Sequence, residues 1–372
     1  MGPVKMIYIT EKSIKNIEFG VSNKIKTQIN AFRKSGLLCE SYVLSVTEKN
    51  NKMYKLLRRV PFVNTHSHWC VEDFKEIQLI YMRRLGTWDK AAVDFFERLK
   101  SINPCCKIIY ELPTYPYDGE IKKHWKNYPL LWQDKWNRRY LHKFIDRIVT
   151  LTDDKEIFGV PTLKIGNGID VDKIRPRQVR ESEAVHAIAV ANFAWWHGYD
   201  RFLEGLKVYY AGSPTRKVIV HLVGHGSEFG RYQKMVADYG LGDYVILHGQ
   251  LTGEALDAIY DQCNLGIASL GCYRKGMNET QELKSREYLA KGLPFIGSVK
   301  ITDIPEADRD NIYLQVPNDD SPIDIEAVLN FYERIYSEGA EQVNTHLRQF
   351  AKDHFSMEVA MKEVIDFFKN GK

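Results

Sequence analysis

The chain has 372 residues, 44% of them hydrophobic and 27% charged, with a formal net charge of +4. That length allows about two domains of ordinary size, and that balance excludes intrinsic disorder, which needs low hydrophobicity and high net charge. No apolar run approaches the roughly 18 residues that span a bilayer, and the opening MGPVKMIYIT enters a strand pattern rather than a signal-peptide core, so a cytoplasmic protein is expected.

Charge is unevenly placed: residues 1–150 carry 27 basic against 15 acidic side chains, and the remainder carries 25 against 33. A basic first half suits an anionic partner such as a phosphate-bearing acceptor, a membrane surface or nucleic acid, with scattered solvated charge as the plain alternative. The six cysteines (Cys39, Cys70, Cys105, Cys106, Cys263, Cys272) show no C-x-x-C and no zinc spacing, so they read as reduced structural thiols. His66 and His68 would share one face of a strand and could hold a metal there; no third ligand is near, and a polar loop is expected instead.

In chain order, KMIYIT (5–10) predicts a strand and SNKIKTQINAFRKSG (22–36) a helix capped by Ser22 and stopped by Gly36, after a loop containing Gly20. EIQLIYMRR (76–84), CKIIYEL (106–112) and DRIVTLT (146–152) predict further strands, and Asn167-Gly168 signals a turn. The polar, proline-containing stretch 173–185 predicts a linker, dividing the chain into domains 1–176 and 177–354. Six more apolar runs follow, at 187–193, 217–224, 244–249, 265–270, 294–298 and 311–316, with helical segments between most of them. Alternation of this kind predicts parallel sheets covered by helices on both faces, hence two doubly wound Rossmann-like domains with ligand held in a cleft at the carboxyl ends of the strands. The last helix, within 355–372, either closes the second domain or completes the first.

The stretch NETQELKSREYLAKGLPFIGS (278–298) carries the sharpest chemical signal. A helix beginning near Thr280 or Gln281 points unpaired amides and its positive dipole end at the preceding loop, a ready site for phosphate. Glu279 lies just before that helix and Glu287 within it, so the two carboxylates reach different groups. Glu287 suits ribose hydroxyls and Glu279 sugar hydroxyls, with a diphosphate between them.

Glu279, seven residues, Glu287 and then YLAKGLP resemble the signature of retaining nucleotide-sugar glycosyltransferases of the GT-B fold, the family 4 group. Gly20-Val21 resembles that family's glycine loop, Asn167-Gly168-Ile169-Asp170 its motif at the end of the first domain, VANFAWWHGYDR (190–201) the opening of the second, and LVGHGSE (222–228), with Gly224, its glycine turn. The resemblance implies a GT-B fold, transfer of a hexosyl-type group from a nucleoside diphosphate sugar to a glycan hydroxyl with retention, no metal and no other cofactor. It implies a role in capsule, exopolysaccharide or other surface-glycan synthesis. Glu279 and Lys284 would be catalytic, and Glu287, Gly20, Val21, Asn192, His197, Gly224, Gln281, Glu282 and Leu283 would bind donor. Tyr115 and Asp118, in an aromatic and proline-rich loop, are candidates for the acceptor.

One departure from the family pattern matters. Asn192 and His197 stand where its members carry an Arg and a Lys on the donor phosphates, so Lys284 is expected to supply that charge. Arg286 reads instead as a surface ion pair with Glu282, four residues earlier. The missing basic pair favours the alternative, a non-catalytic GT-B subunit that binds glycan or stabilises a partner. Residues 121–144 interleave cations with Trp125, Trp132, Trp136 and Tyr140, and 52–62 adds a second basic run. These suit a lipid headgroup surface, hence peripheral attachment to the inner face of the membrane and a lipid-linked acceptor; the other reading buries the tryptophans and leaves the cations in water. No pattern supports nucleic-acid binding.

Overall fold

The computed structural model describes residues 4–10, 19–44, 71, 74–84, 86–122, 127–180 and 182–370. His66, His68, Cys70, Trp125 and the basic run 52–62 lie outside them. The chain forms two compact units, residues 1–168 with 357–372, and residues 169–356.

Unit 1 runs β1 (Lys5–Thr10), α1 (Phe19–Lys34), β2 (Leu38–Val43), β3 (Leu79–Arg83), α2 (Lys90–Ile102), β4 (Lys107–Glu111), α3 (Asp118–Lys122), α4 (Tyr128–Arg138), β5 (Arg147–Thr150), β6 (Glu156–Ile157) and β7 (Val160–Lys164). Its sheet has the order β2-β1-β3-β4-β5-β7-β6, parallel except for β6. β1 and β3 are buried almost end to end, as strands covered on both faces must be. One face carries α2 through Phe95, Phe96 and Leu99, and the other carries α1 through Ile25, Ile29 and Phe32.

Unit 2 runs β8 (Val185–Phe193), α5 (Tyr199–Ala211), β9 (Val218–Gly226), α6 (Phe229–Asp238), β10 (Val245–Gly249), α7 (Gly253–Tyr260), β11 (Leu265–Ile267), β12 (Glu279–Thr280), α8 (Leu283–Lys291), β13 (Phe295–Gly297), β14 (Lys300–Ile301), β15 (Tyr313–Gln315), α9 (Ile325–Ile335) and α10 (Ala340–Phe355). Its main sheet is parallel throughout in the order β10-β9-β8-β11-β13-β15, and β12 pairs β14 apart from it. Strand order therefore reverses between β8 and β11, the switch point at which a doubly wound sheet opens a crevice for ligand. Along β8, Val185, Ala187 and Ala189 face the core under α5 and α6, while Ile188 faces the core under α7, α8 and α10. The chain then returns to unit 1 as α11 (Met357–Ala360) and α12 (Lys362–Asn370), whose Met357, Val364, Phe367 and Phe368 close the core over α1.

Three local expectations are corrected. Gly20 and Val21 form no glycine loop: they lie in the first turn of α1, where Val21 starts the apolar stripe continued by Ile25, Ile29 and Phe32, and Ser22 is a buried helical residue rather than a cap. Asn167-Gly168 is not a turn. Gly168 is demanded by packing instead, because a Cβ there would lie 2.7 Å from Met357 Cα.

The stretch 173–185 is no free linker either, and the unit boundary falls earlier, after Gly168. Arg175 pairs with Asp257 and Asp261, the Gln178 N–H donates to Asp261 Oδ1 at 2.8 Å, and Arg177 is buried with its N–H on Lys291 O at 3.0 Å. Its charge binds it to unit 2.

Candidate functional site at the strand-order switch of unit 2

The loops that leave β8 and β11 meet at the switch point. After β8 the chain makes one turn of 3-10 helix, Trp195–His197, and enters α5 through Gly198, whose left-handed backbone (φ 65°) suits glycine. A Cβ on Gly198 would lie 2.4 Å from the Gly271 nitrogen, so the two loops touch backbone to backbone. The Leu270 N–H donates to His197 O at 2.8 Å, and buried Arg201 reaches back to Leu270 O. Tyr288 fills the strand gap from below: its hydroxyl donates to Ile267 O at 3.0 Å and accepts from the Val190 N–H at 3.2 Å.

α8 begins beside these loops. Its N-cap is Glu282, but the Glu282 side chain does not cap it. That carboxylate instead accepts from the Ser269 N–H at 3.2 Å and the Ser269 hydroxyl at 2.7 Å, so the first-turn amides of α8 are not covered by it. At the other end Gly292 (φ 79°) stops the helix, its N–H returning to Leu289 O and Tyr288 O, and Pro294 follows.

Lys284 lies in the first turn of α8. Its Nζ donates to the Tyr199 hydroxyl at 3.2 Å and to Ser269 Oγ at 3.3 Å, with Glu282 Oε2 3.8 Å away. Burial lowers its pKa, opposed by the nearby carboxylates. His197 stacks on the Tyr199 ring, centroids 5.6 Å apart and planes 9° apart. Burial, with the ammonium groups of Lys284 and Lys275, pushes its imidazole down to about 3, so it is neutral at physiological pH. Nδ1 accepts the Ala194 N–H at 3.1 Å, which leaves Nε2 carrying the proton as a donor. The cluster thus sets the Lys284 ammonium, one neutral donor and a helix N-terminus together, with the Lys275 ammonium 3.7 Å over the neighbouring Trp196 ring.

Glu279, on β12, and Glu287, in the second turn of α8, are both exposed, and no hydrogen bond or ion pair among the described residues engages either carboxylate. Desolvation by the surrounding protein raises the Glu287 pKa, opposed by the ammonium groups of Lys291 and Lys284. Gln281 fixes the approach to α8 through Thr302 Oγ1 at 3.0 Å, and Leu283 stands half exposed.

A cavity of about 540 Å³ opens at the ends of β8 and β9, lined by Asn192, Gly224, His225 and the Gln250-Leu251 segment. Gly224 (φ 138°) is a packing necessity, since a Cβ would meet Ala191 O at 1.8 Å. Val190 and Leu251 also line the cavity, and the Val190 N–H donates to the hydroxyl of Tyr288, the α8 residue after Glu287, at 3.2 Å.

No protein-family model and no curated protein matches the chain. Solved structures do. A glycosyltransferase from Rickettsia africae superposes over all of both chains with a TM-score of 0.58 at 11% identity. Sucrose-phosphate synthase from Thermosynechococcus elongatus does so over 99% of this chain and 100% of its own, with a TM-score of 0.56 at 15% identity. Anabaena HepE in complex with UDP-glucose matches over 98% of this chain and 99% of its own, with a TM-score of 0.55 at 12% identity. The chain has the GT-B fold.

In this GT-B chain the structure brings together Glu279, Gln281, Glu282, Lys284 and His197 around the start of α8, and Asn192 and Gly224 at the adjoining cavity. Gly20 and Val21 belong to the other unit. Tyr115 packs edge-on against Phe158 there, and Asp118 is held by Arg138 at 2.6 Å and Lys135 at 3.2 Å, which keep its carboxyl below the usual range. Arg286 is not a surface partner of Glu282: it is buried, pairs with Asp303 and lies over Phe355. Sequence reasoning missed Tyr199 and Ser269, which hold Lys284. Their signal was position alone, at the ends of segments now seen to flank the switch point.

Proposed function

We propose that the chain is a glycosyltransferase that moves a hexosyl group from a nucleoside diphosphate sugar to a glycan hydroxyl with retention of configuration, in surface-glycan synthesis. The observation that carries this reading is the set of groups at the start of α8: one carboxylate before the helix and one in its second turn, neither engaged among the described residues, with the Lys284 ammonium held in the first turn. The diphosphate would lie on the α8 amides, taking charge from Lys284 and a neutral hydrogen bond from His197 Nε2. Glu287 would accept from the ribose hydroxyls, the base would enter the cavity by Gly224, and Glu279 would hold the sugar. HepE, of the same fold, binds UDP-glucose, which favours a UDP-sugar.

In this reading the acceptor proton passes to a donor phosphate oxygen on the face from which the diphosphate leaves, so no side-chain nucleophile is required. Unit 1 would take the acceptor. Incubating the protein with UDP-, GDP- and dTDP-sugars and measuring release of the nucleoside diphosphate tests the reading and names the donor. Release from none of them, with or without a glycan acceptor, would overturn it.

One observation favours a second reading, a non-catalytic GT-B subunit that binds glycan. Asn192 is uncharged and His197 neutral, so neither of the two cations expected at those positions is there. Nucleotide binding without turnover would decide for that subunit.

A further inference from the structure

Helix α4 is built inside out. Its buried residues are Leu131, Gln133, Asp134 and Asn137, three of them polar. Asp134 accepts from the Trp88 N–H at 2.7 Å, the Tyr117 hydroxyl at 2.8 Å and Arg138 at 3.1 Å, and Asn137 donates to Gln133 O at 2.9 Å, so the inward face is satisfied by hydrogen bonds. The aromatic residues point the other way. Tyr128, Trp132 and Trp136, spaced four apart, are 55%, 47% and 43% exposed, and the two indoles stack at 5.9 Å. A helix whose outward face met only water would carry the reverse pattern.

Cations share the aromatic face. Arg139 lies 3.4 Å above the Trp136 ring and exposed Lys143 approaches Tyr140, while Lys135 turns to Asp118. Residues 121–144 contain seven Lys or Arg and a single acid, Asp134, which is buried against Arg138. Among the described residues from 127 to 144, Arg139 and Lys143 are exposed and no acid is, so the charge shown there is positive. A like patch on a second copy would repel it, and the convex face of a helix offers a saccharide no concavity. Tyrosine and tryptophan with long cationic side chains match a lipid headgroup layer, where the rings sit at the interface and the charges meet phosphate.

We propose that α4 lays its Tyr128, Trp132 and Trp136 face into the headgroup region of an anionic membrane, with Arg139 and Lys143 on lipid phosphates. The inference does not depend on the reaction assigned to unit 2. Co-sedimentation of the full chain with phosphatidylcholine vesicles, with and without phosphatidylglycerol, tests it. Binding is expected only to the anionic vesicles and to weaken with salt. The Trp132→Ser, Trp136→Ser double variant and the Arg139→Gln, Lys143→Gln double variant should each bind at least tenfold more weakly, while Val208→Ser, an exposed apolar site on α5, should bind as wild type. Unchanged circular dichroism melting would show that the variants remain folded. Equal partition of wild type and the tryptophan variant, failure of wild type to bind anionic vesicles, or retention on single-stranded oligonucleotide in preference to them would each overturn the proposal.

Discussion

Lys284 and Tyr199 are joined by a hydrogen bond of 3.2 Å although their helices cover opposite faces of the unit 2 sheet. Their meeting is possible because α5 and α8 both start at the strand-order switch. Tyr199 and Ser269 hold the ammonium beside the α8 amides, where a diphosphate would collect charge from both. Lys284→Ala should lower kcat/KM for the nucleotide sugar by about 100-fold, with partial recovery in Lys284→Arg. Because burial lowers the Lys284 pKa, turnover should also decline on the alkaline side earlier than an ordinary lysine would dictate. An alanine variant with wild-type kcat/KM would exclude Lys284 from the reaction.

The two carboxylates separate by experiment. Glu279→Ala should abolish transfer while nucleoside diphosphate affinity, measured by calorimetry, changes less than threefold or so. Glu287→Ala should weaken that affinity by tenfold or more, since it removes a charged hydrogen-bond acceptor. Desolvation raises the Glu287 pKa, so nucleotide affinity should fall at a less acid pH than a free glutamate would set, as the carboxyl protonates and stops accepting. Equal effects of both substitutions on binding would mean that they do not divide the ligand as argued.

Much of this arrangement was legible in the residues. All six main strands of unit 2 stood out as short apolar runs, and the spacing of Glu279 and Glu287 around a helix start was visible without coordinates. What escaped were features set by tertiary contact. β2, reading LCESYV, is mostly exposed on an edge and lacks a buried strand's continuous apolar run. Arg286 looked like surface charge because nothing local announces Asp303 or Phe355 as its partners. The stretch 173–185 looked like a linker because linkers are polar, whereas Arg175 meets carboxylates more than eighty residues ahead.

Gly198 and Gly276 offer a controlled comparison of backbone strain with crowding. Both are left-handed, at φ 65° and 67°, but only at Gly198 is the Cβ position occupied, by the backbone of Gly271. Gly276→Ala should cost about 1 kcal/mol, the intrinsic penalty of that conformation. Gly198→Ala should cost on the order of 3 kcal/mol and should impair nucleotide binding, because the loops after β8 and β11 must part. Urea melts of the two variants read the difference, and equal losses would show that the loop contact contributes nothing.

Three histidines form a ladder across unit 2. His186 Nδ1 lies 3.0 Å from His221 Nε2, and His221 Nδ1 lies 2.9 Å from His248 Nε2, with the rings stacked 5.3 and 5.2 Å apart. Each contact needs one N–H and one lone pair, which three neutral rings supply. Burial lowers all three pKa values, and burial with its two neighbours pushes His221 down to about 3 from 6.5. The sign follows from proton uptake: below pH 6.5 the unfolded chain protonates His221 while the folded chain does not, so stability is full above that pH and falls steadily as pH drops toward 3. At pH 5 His221 alone should cost about 2 kcal/mol. His221→Gln should therefore flatten the loss of urea stability between neutral pH and pH 5, whatever it does to stability at neutral pH. A variant whose acid loss matches wild type would place the acid sensitivity elsewhere.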